Sequence, residues 1–379
     1  MIASTDEDPL INDIVKGSIK QWKADIEHDE STAETLQGYS RYIRTKWIFI
    51  AVCIILTILV TGFALSVGDY DIGFWETYQI LFDNVFGDPE WTLKGHVVMS
   101  LRLPRLLTAI LAGIGLAIAG VAMQSTLLNP LADPYTTGVS SGAMFGATLA
   151  MISGITVIEG MKYGMVLNAF IFSLIPMLII AFVSKVKRSS PTTMIMAGIA
   201  VMYIFNAVTT FIKLFADANA LKELYEWQVG TLSYTVMSDI PIMLVFVVAG
   251  YIILQVLSRK LNLLASGDES AKGLGVDAEK LRRIILVVVA LVTASIVSFT
   301  GMIGFVGLVA PHIVRMFIGS DNRYLMPAAA AFGALLLVVA DLVGRVVIAP
   351  QILQVGVVTS FLGGPLFLWL ILKKNSNVW

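Results

Sequence analysis

Long apolar runs constrain this chain more than any other feature. They occupy residues 47–67, 101–128, 137–158, 163–183, 191–215, 240–257, 284–299, 301–318, 325–347 and 355–372. A bilayer core about 30 Å thick needs roughly 20 mostly apolar residues to be crossed by a helix. A transmembrane barrel would show short alternating strands instead. Composition agrees with helices in lipid: 57% of residues are hydrophobic and 14% charged, where soluble domains carry about 25% charged residues. An apolar excess of this size over 379 residues does not fit inside a soluble core. The expected fold is all-α, a polytopic integral membrane protein of about ten transmembrane helices.

The polar segments set the organisation. Residues 1–46 carry Asp6, Glu7, Asp8, Asp25, Glu27, Asp29, Glu30 and Glu34. That is the reverse of a basic start followed by an apolar stretch, so no cleavable signal peptide is expected. This predicts a cytoplasmic amino-terminal extension over 1–46, disordered in its acidic part or amphipathic through Leu10, Ile14 and Trp22. The transmembrane domain then covers 47–379. With the amino terminus inside, the cytoplasmic segments hold Arg41, Arg44, Lys46, Lys185, Lys187, Arg188, Arg259, Lys260, Lys272, Lys280, Arg282, Arg283, Arg315, Arg323, Lys373 and Lys374. The outer loops hold Lys94, Lys162 and Lys222, with further arginines near helix ends. This asymmetry obeys the positive-inside rule and places both termini in the cytoplasm of a multi-pass protein of the cytoplasmic membrane.

Little of the chain suggests covalent chemistry. Cys53 is the single cysteine, which excludes an internal disulfide and a cysteine metal cluster. His28, His96 and His312 sit in unrelated contexts, and no metal or hydrolytic set can be assembled from them. No P-loop sequence occurs, so ATP hydrolysis is not expected in this chain. No series of intramembrane acids suggests a proton relay, which weighs against an ion-driven secondary transporter. The expectation is no catalytic residue, no cofactor and no metal. The net charge of -1 gives no sign of a nucleic-acid partner.

A few polar residues remain. Asp133 sits between two prolines at a helix break, as a cap for the next helix or as a functional acid. Asp341 and Arg345 are four apart and can pair on one helical face. Arg102, Arg105 and Arg345 fall at outer helix ends, where positive charge is disfavoured. They either snorkel to headgroups or dock an acidic partner through bidentate carboxylate pairs. Residues 258–283 alternate small, apolar and charged residues and read as short helices broken at Gly267 and Gly275. Leu263, Leu264, Ala271 and Leu274 there suggest a partner surface.

These residues also carry a resemblance. Leu101-Arg102-Leu103-Pro104-Arg105 is followed by Asn129-Pro130-Leu131-Ala132-Asp133-Pro134, then by Gly138-Val139-Ser140-Ser141-Gly142. Next come Gly273-Leu274-Gly275-Val276, the run from Gly304 to His312 with Arg315, Ala340-Asp341-Leu342 with Arg345, and Gly363-Gly364-Pro365-Leu366-Phe367. From about residue 47 onward the chain resembles the FecCD-type permeases, the iron-siderophore, haem and vitamin B12 permeases of type II ABC importers. The resemblance implies a ten-helix, vitamin B12 permease-like bundle working as a homodimer or as a pseudo-symmetric pair. It implies two cytoplasmic ABC ATPase subunits and an extracytoplasmic solute-binding protein as partners. It assigns binding-protein docking to Arg102, Arg105 and Arg345. It assigns ATPase coupling to Leu263, Leu264, Gly267, Asp268, Glu269, Ala271, Gly273, Leu274 and Gly275 within the loop 258–283. The cytoplasmic gate falls at Ser190, Pro191 and Thr192, where Pro191 departs from the hydroxyl residue expected. The implied cargo is an iron chelate, a siderophore or haem, with vitamin B12 (cobalamin) as the alternative.

Overall fold

The computed structural model describes residues 17–18, 30–68, 70–87, 92–186 and 190–372. Leu10, Ile14 and Trp22 of the extension, Lys187 and Arg188 of the basic cluster, and Lys373 and Lys374 lie outside the described residues. By contacts the chain divides into Met1–Ile48 and Phe49–Trp379. In the first unit Lys46 Nζ lies 4.2 Å from the centre of the Tyr42 ring.

The chain is a helical membrane bundle. Its helices are α1 (Glu30–Ser66), α2 (Phe74–Phe86), α3 (Leu93–Leu127), α4 (Val139–Ser153), α5 (Met161–Val186), α6 (Pro191–Lys213), α7 (Ala218–Val229), α8 (Ile240–Val256), α9 (Ser258–Ala265), α10 (Asp268–Gly273), α11 (Ala278–Thr300), α12 (Val306–Ile318), α13 (Asn322–Val346) and α14 (Val355–Leu372). Among the described residues, seven segments are long and apolar enough to cross a membrane, in α1, α3, α5, α6, α8, α11 and α13. The shorter apolar helices α4, α12 and α14 complete the expected count. The short segments α2, α7, α9 and α10 lie between them.

Several boundaries differ from the apolar runs, for local reasons. α3 starts at Leu93, well before the run, because Thr92 caps Gly95 and a π-helical stretch, Val97–Arg102, carries the helix into Leu103. α11 starts at Ala278, because the Asp277 side chain accepts from Lys280 N and extends the helix through a charged turn. Asp133 caps the 3-10 turn Pro134–Thr137, accepting from Tyr135 N at 2.9 Å and Thr136 N at 3.0 Å.

α3 and α11 form the buried centre, while α1, α6 and α8 are the most exposed spans. α3 packs most extensively on α13. Gly113 and Gly333 make this possible, since a side chain on either would run into the other's carbonyl group. Missing side chains let membrane helices approach to backbone contact. Gly120 meets the Gly307 backbone of α12 in the same way, and Gly142 and Gly146 of α4 meet α5.

Candidate functional site

One end of the bundle gathers the arginines. Arg102 ends the π-helical stretch of α3, Arg105 lies in the first regular turn after it, and Arg345 lies in the last turn of α13. All three are buried, between 6 and 7% exposed. Arg105 Nε donates to Asp341 Oδ1 at 2.6 Å and its NH1 group to Ser233 Oγ at 2.7 Å. Arg345 Nε lies 3.1 Å from the other Asp341 oxygen, close enough for an ion pair though not aligned as a hydrogen bond. The Arg345 NH1 group donates to the carbonyls of Ala64 and Val67, both at 2.9 Å. Arg102 donates to the carbonyls of Leu65 at 2.8 Å and Tyr70 at 2.5 Å. Arg102 and Arg345 thus fasten the chain leaving α1 over the ends of α3 and α13. Asp341, with no exposed surface, is shared by two guanidiniums.

The lysines at this end behave differently. Lys94 lies 2.6 Å from Glu76, Lys162 lies 2.7 Å from Asp239, and Lys222 lies 4.0 Å from Glu226. Each has a carboxylate of its own. Arg105 and Arg345 share the one carboxylate of Asp341, with Arg102 held on backbone carbonyls beside them, so positive charge is concentrated beneath this surface. Two further hollows open nearby. A cavity of about 810 Å³ lies between α4, α5 and α7, bordered by Lys162, Glu223, Glu226 and Trp227. A cleft of about 440 Å³ brings Tyr135, Ser140, Gln228 and Ser360 together beside Met302 and Gly356.

The opposite end carries α9 and α10. Leu264 and Ala271 are buried and pack these short helices onto the bundle, while Leu274 is 67% exposed. Glu269 and the glycines Gly273 and Gly275 are also exposed, and Leu263, Gly267 and Asp268 are partly so. Gly267 and Gly275 have φ of +100° and +77°, values that favour glycine at both breaks.

Both short helices are tied to the foot of α3. Arg282 of α11, wholly buried, binds the Asp268 carboxylate with both terminal nitrogens and donates from Nε to the Thr126 carbonyl at 3.1 Å. Asn262 of α9 donates to Asp321 at 2.7 Å and accepts from Asn322 N at 2.8 Å. The Asn322 side chain in turn accepts from Ser125 Oγ at 3.2 Å. Two polar chains therefore run from two helices to adjacent residues, Ser125 and Thr126. Sequence reading missed Arg282 and Asn262 as anchors. Their signal, a basic residue and an amide flanking a short charged loop, is shared by any solvated loop.

Ser190, Pro191 and Thr192 open α6 at the same end. Ser190 Oγ accepts from Thr193 N at 3.1 Å, and Pro191 takes the first helical position. Proline suits that position because its fixed φ matches the helix and no partner is needed for its nitrogen.

Known proteins share this architecture. The profile of the FecCD transport family matches residues 52–373. An ABC transporter permease protein of Methanocaldococcus jannaschii is 40% identical over 90% of this chain and 99% of its own. The hemin transport system permease protein of Yersinia pestis is 35% identical over 86% of this chain and 95% of its own. The cobalamin import system permease protein of Halobacterium salinarum is 37% identical over 76% of each. A solved metal-chelate type ABC transporter in an inward-facing conformation superposes with a TM-score of 0.75 at 27% identity, covering 86% of this chain and 99% of that one.

Proposed function

The chain belongs to the FecCD transport family, the permeases of type II ABC importers, and from that membership we propose the finer reading that follows. It passes an iron chelate, a siderophore or haem, across the cytoplasmic membrane. A solute-binding protein delivers the cargo to the arginine end, and two cytoplasmic ABC ATPases drive transport from the opposite end. The hemin permease's name supports an iron chelate, and the cobalamin permease's name supports the alternative. Cobalamin is the alternative cargo.

The single observation that carries the coupling role is the pairing of an exposed Leu274 with anchored helices behind it. A partner gripping α9 and α10 would move the foot of α3 with them. Residues 190–192, at the same end, are the proposed gate. The cleft bordered by Tyr135, Gln228 and Ser360 supports a pathway completed by a second permease copy, because polar groups there open on the chain's surface. The lysine and arginine distribution supports an orientation with both termini in the cytoplasm and the arginine end outside.

Purification of the complex in mild detergent tests this reading. A P-loop ATPase should copurify, and Leu274→Asp should break coupling. Transport by this chain alone, driven by an ion gradient in liposomes, would establish a secondary transporter instead. Competition between a ferric siderophore, hemin and cobalamin for the cognate binding protein decides the cargo.

A further inference from the structure

α2 is an amphipathic helix turned outward. Phe74, Trp75, Tyr78, Phe82, Val85 and Phe86 are all exposed, Trp75 at 82% and Phe86 at 77%. Their spacing of three and four residues places them on one stripe. The rings associate along it, with centroids 4.9 Å apart for Phe74 and Tyr78 and 5.3 Å for Phe82 and Phe86. The other side holds the polar contacts: Thr77 is buried, Asn84 donates to the Ile80 carbonyl, and Glu76 meets Lys94. An amphipathic helix at a protein surface ordinarily buries its apolar side. Apart from the Tyr78 hydroxyl, which turns to α1, the aromatic row faces away from the protein and requires an apolar cover.

We propose that α2 lies in the lipid headgroup boundary at the arginine end, with its aromatic stripe inserted among the acyl chains. Three observations choose lipid over a protein occupant. The Tyr78 hydroxyl packs where a side chain on Gly62 would sit, so α2 crosses α1 about one turn from its end at Ser66. There the stripe continues the exposed apolar surface of α1, formed by Ile55, Ile58, Leu59 and Phe63. The composition, tryptophan, tyrosine and phenylalanine, is also that of residues concentrated at membrane boundaries.

This placement connects lipid to the arginines. The segment leading into α2 is held by Arg102 through the Leu65 and Tyr70 carbonyls. α2 seated in the leaflet fixes that segment from the outside, and Arg102 fixes it from within.

A cysteine scan along 74–86 tests the proposal in the full-length protein, with the native Cys53 replaced by alanine and each site labelled with an environment-sensitive fluorophore. The protein is reconstituted at low density in phosphatidylcholine vesicles with no partner added. Quenching by lipids carrying a spin label near the headgroup should peak at positions 75, 78, 82 and 86 and fall at 77, 80 and 84, by about threefold. A helical period across many sites does not depend on any single variant folding well. Strong quenching by aqueous iodide at the stripe would overturn the proposal. So would shielding that appears only at high protein density or after a binding protein is added, since the cover would then be protein.

Discussion

Arg282 holds Asp268 while reaching back to the last turn of α3, so one buried guanidinium joins a short surface helix to the core of the bundle. Removing the carboxylate leaves that cation buried without its charge partner, a change that costs about 3–5 kcal/mol in fully buried pairs. Asp268 is about one-third exposed, so the cost should be about half of that after solvent screening. Asp268→Asn and Arg282→Gln should therefore keep the ATPase bound but lower cargo moved per ATP hydrolysed. Parallel transport and ATPase assays on one preparation check this. Loss in equal proportion would remove the strut's role in coupling.

The Asp341 site makes a different prediction. Asp341→Asn leaves two guanidiniums buried together, with a loss of about 3–5 kcal/mol expected. Adding Arg105→Gln should restore part of it, because the second change removes one of the stranded charges. Thermal unfolding of the single and double variants in detergent gives the comparison. A double variant less stable than both single ones would contradict it.

For docking, the burial of the arginines favours gentle substitution. Arg102→Gln with Arg345→Gln should weaken binding-protein affinity by about tenfold through lost positive potential and leave the ATPase complex intact. Both changes also loosen the segment at 64–70. Affinity should thus be read beside the fluorophore pattern of α2, which reports that segment separately.

Much of this architecture was legible in the sequence because lipid makes the pattern coarse. A run of about 20 apolar residues has few alternatives in a membrane, and all ten expected crossings have a helix. The pairing of Asp341 with Arg345 followed from a spacing of four. The ties of Arg105 to Asp341 and of Arg282 to Thr126 were not legible, since they join residues 236 and 156 positions apart. Nor was the outward face of α2: a helix pattern gives the stripe but not what covers it.

Asp321 gives a pH prediction. Burial pushes its carboxyl up, but donors from Arg323 and Asn262 outweigh burial and hold it at about 2, against an ordinary 3.8. A depressed carboxyl contributes stability that is present above its unfolded value and lost as pH falls through the folded one. The α9 anchor should therefore hold unchanged from pH 8 to about 5 and weaken between about 4 and 2. Asp321→Asn should show the acid-weakened behaviour already at neutral pH, by about 1–2 kcal/mol. Hydrogen exchange of the α9 amides at pH 7 in both proteins measures it.

The last prediction concerns the α3–α13 crossing. Gly113 and Gly333 each stand where the other's carbonyl leaves no room for a side chain. Overpacking a tight interior costs about 1–3 kcal/mol, and here the obstacle is backbone, which cannot turn aside as a side chain does. Gly113→Val should therefore destabilise the bundle by at least the upper part of that range. For stability alone Gly273→Ala is the control, because nothing lies within reach of a new side chain there. The two helices also carry the ends of the site: α3 links Arg105 to Thr126, and α13 links Asn322 to Asp341. Splaying them should disturb both ends at once. Gly113→Val should lower binding-protein affinity and cargo moved per ATP together, whereas Asp268→Asn should lower only the second. An affinity unchanged in Gly113→Val would show that the arginine end holds its geometry without this crossing.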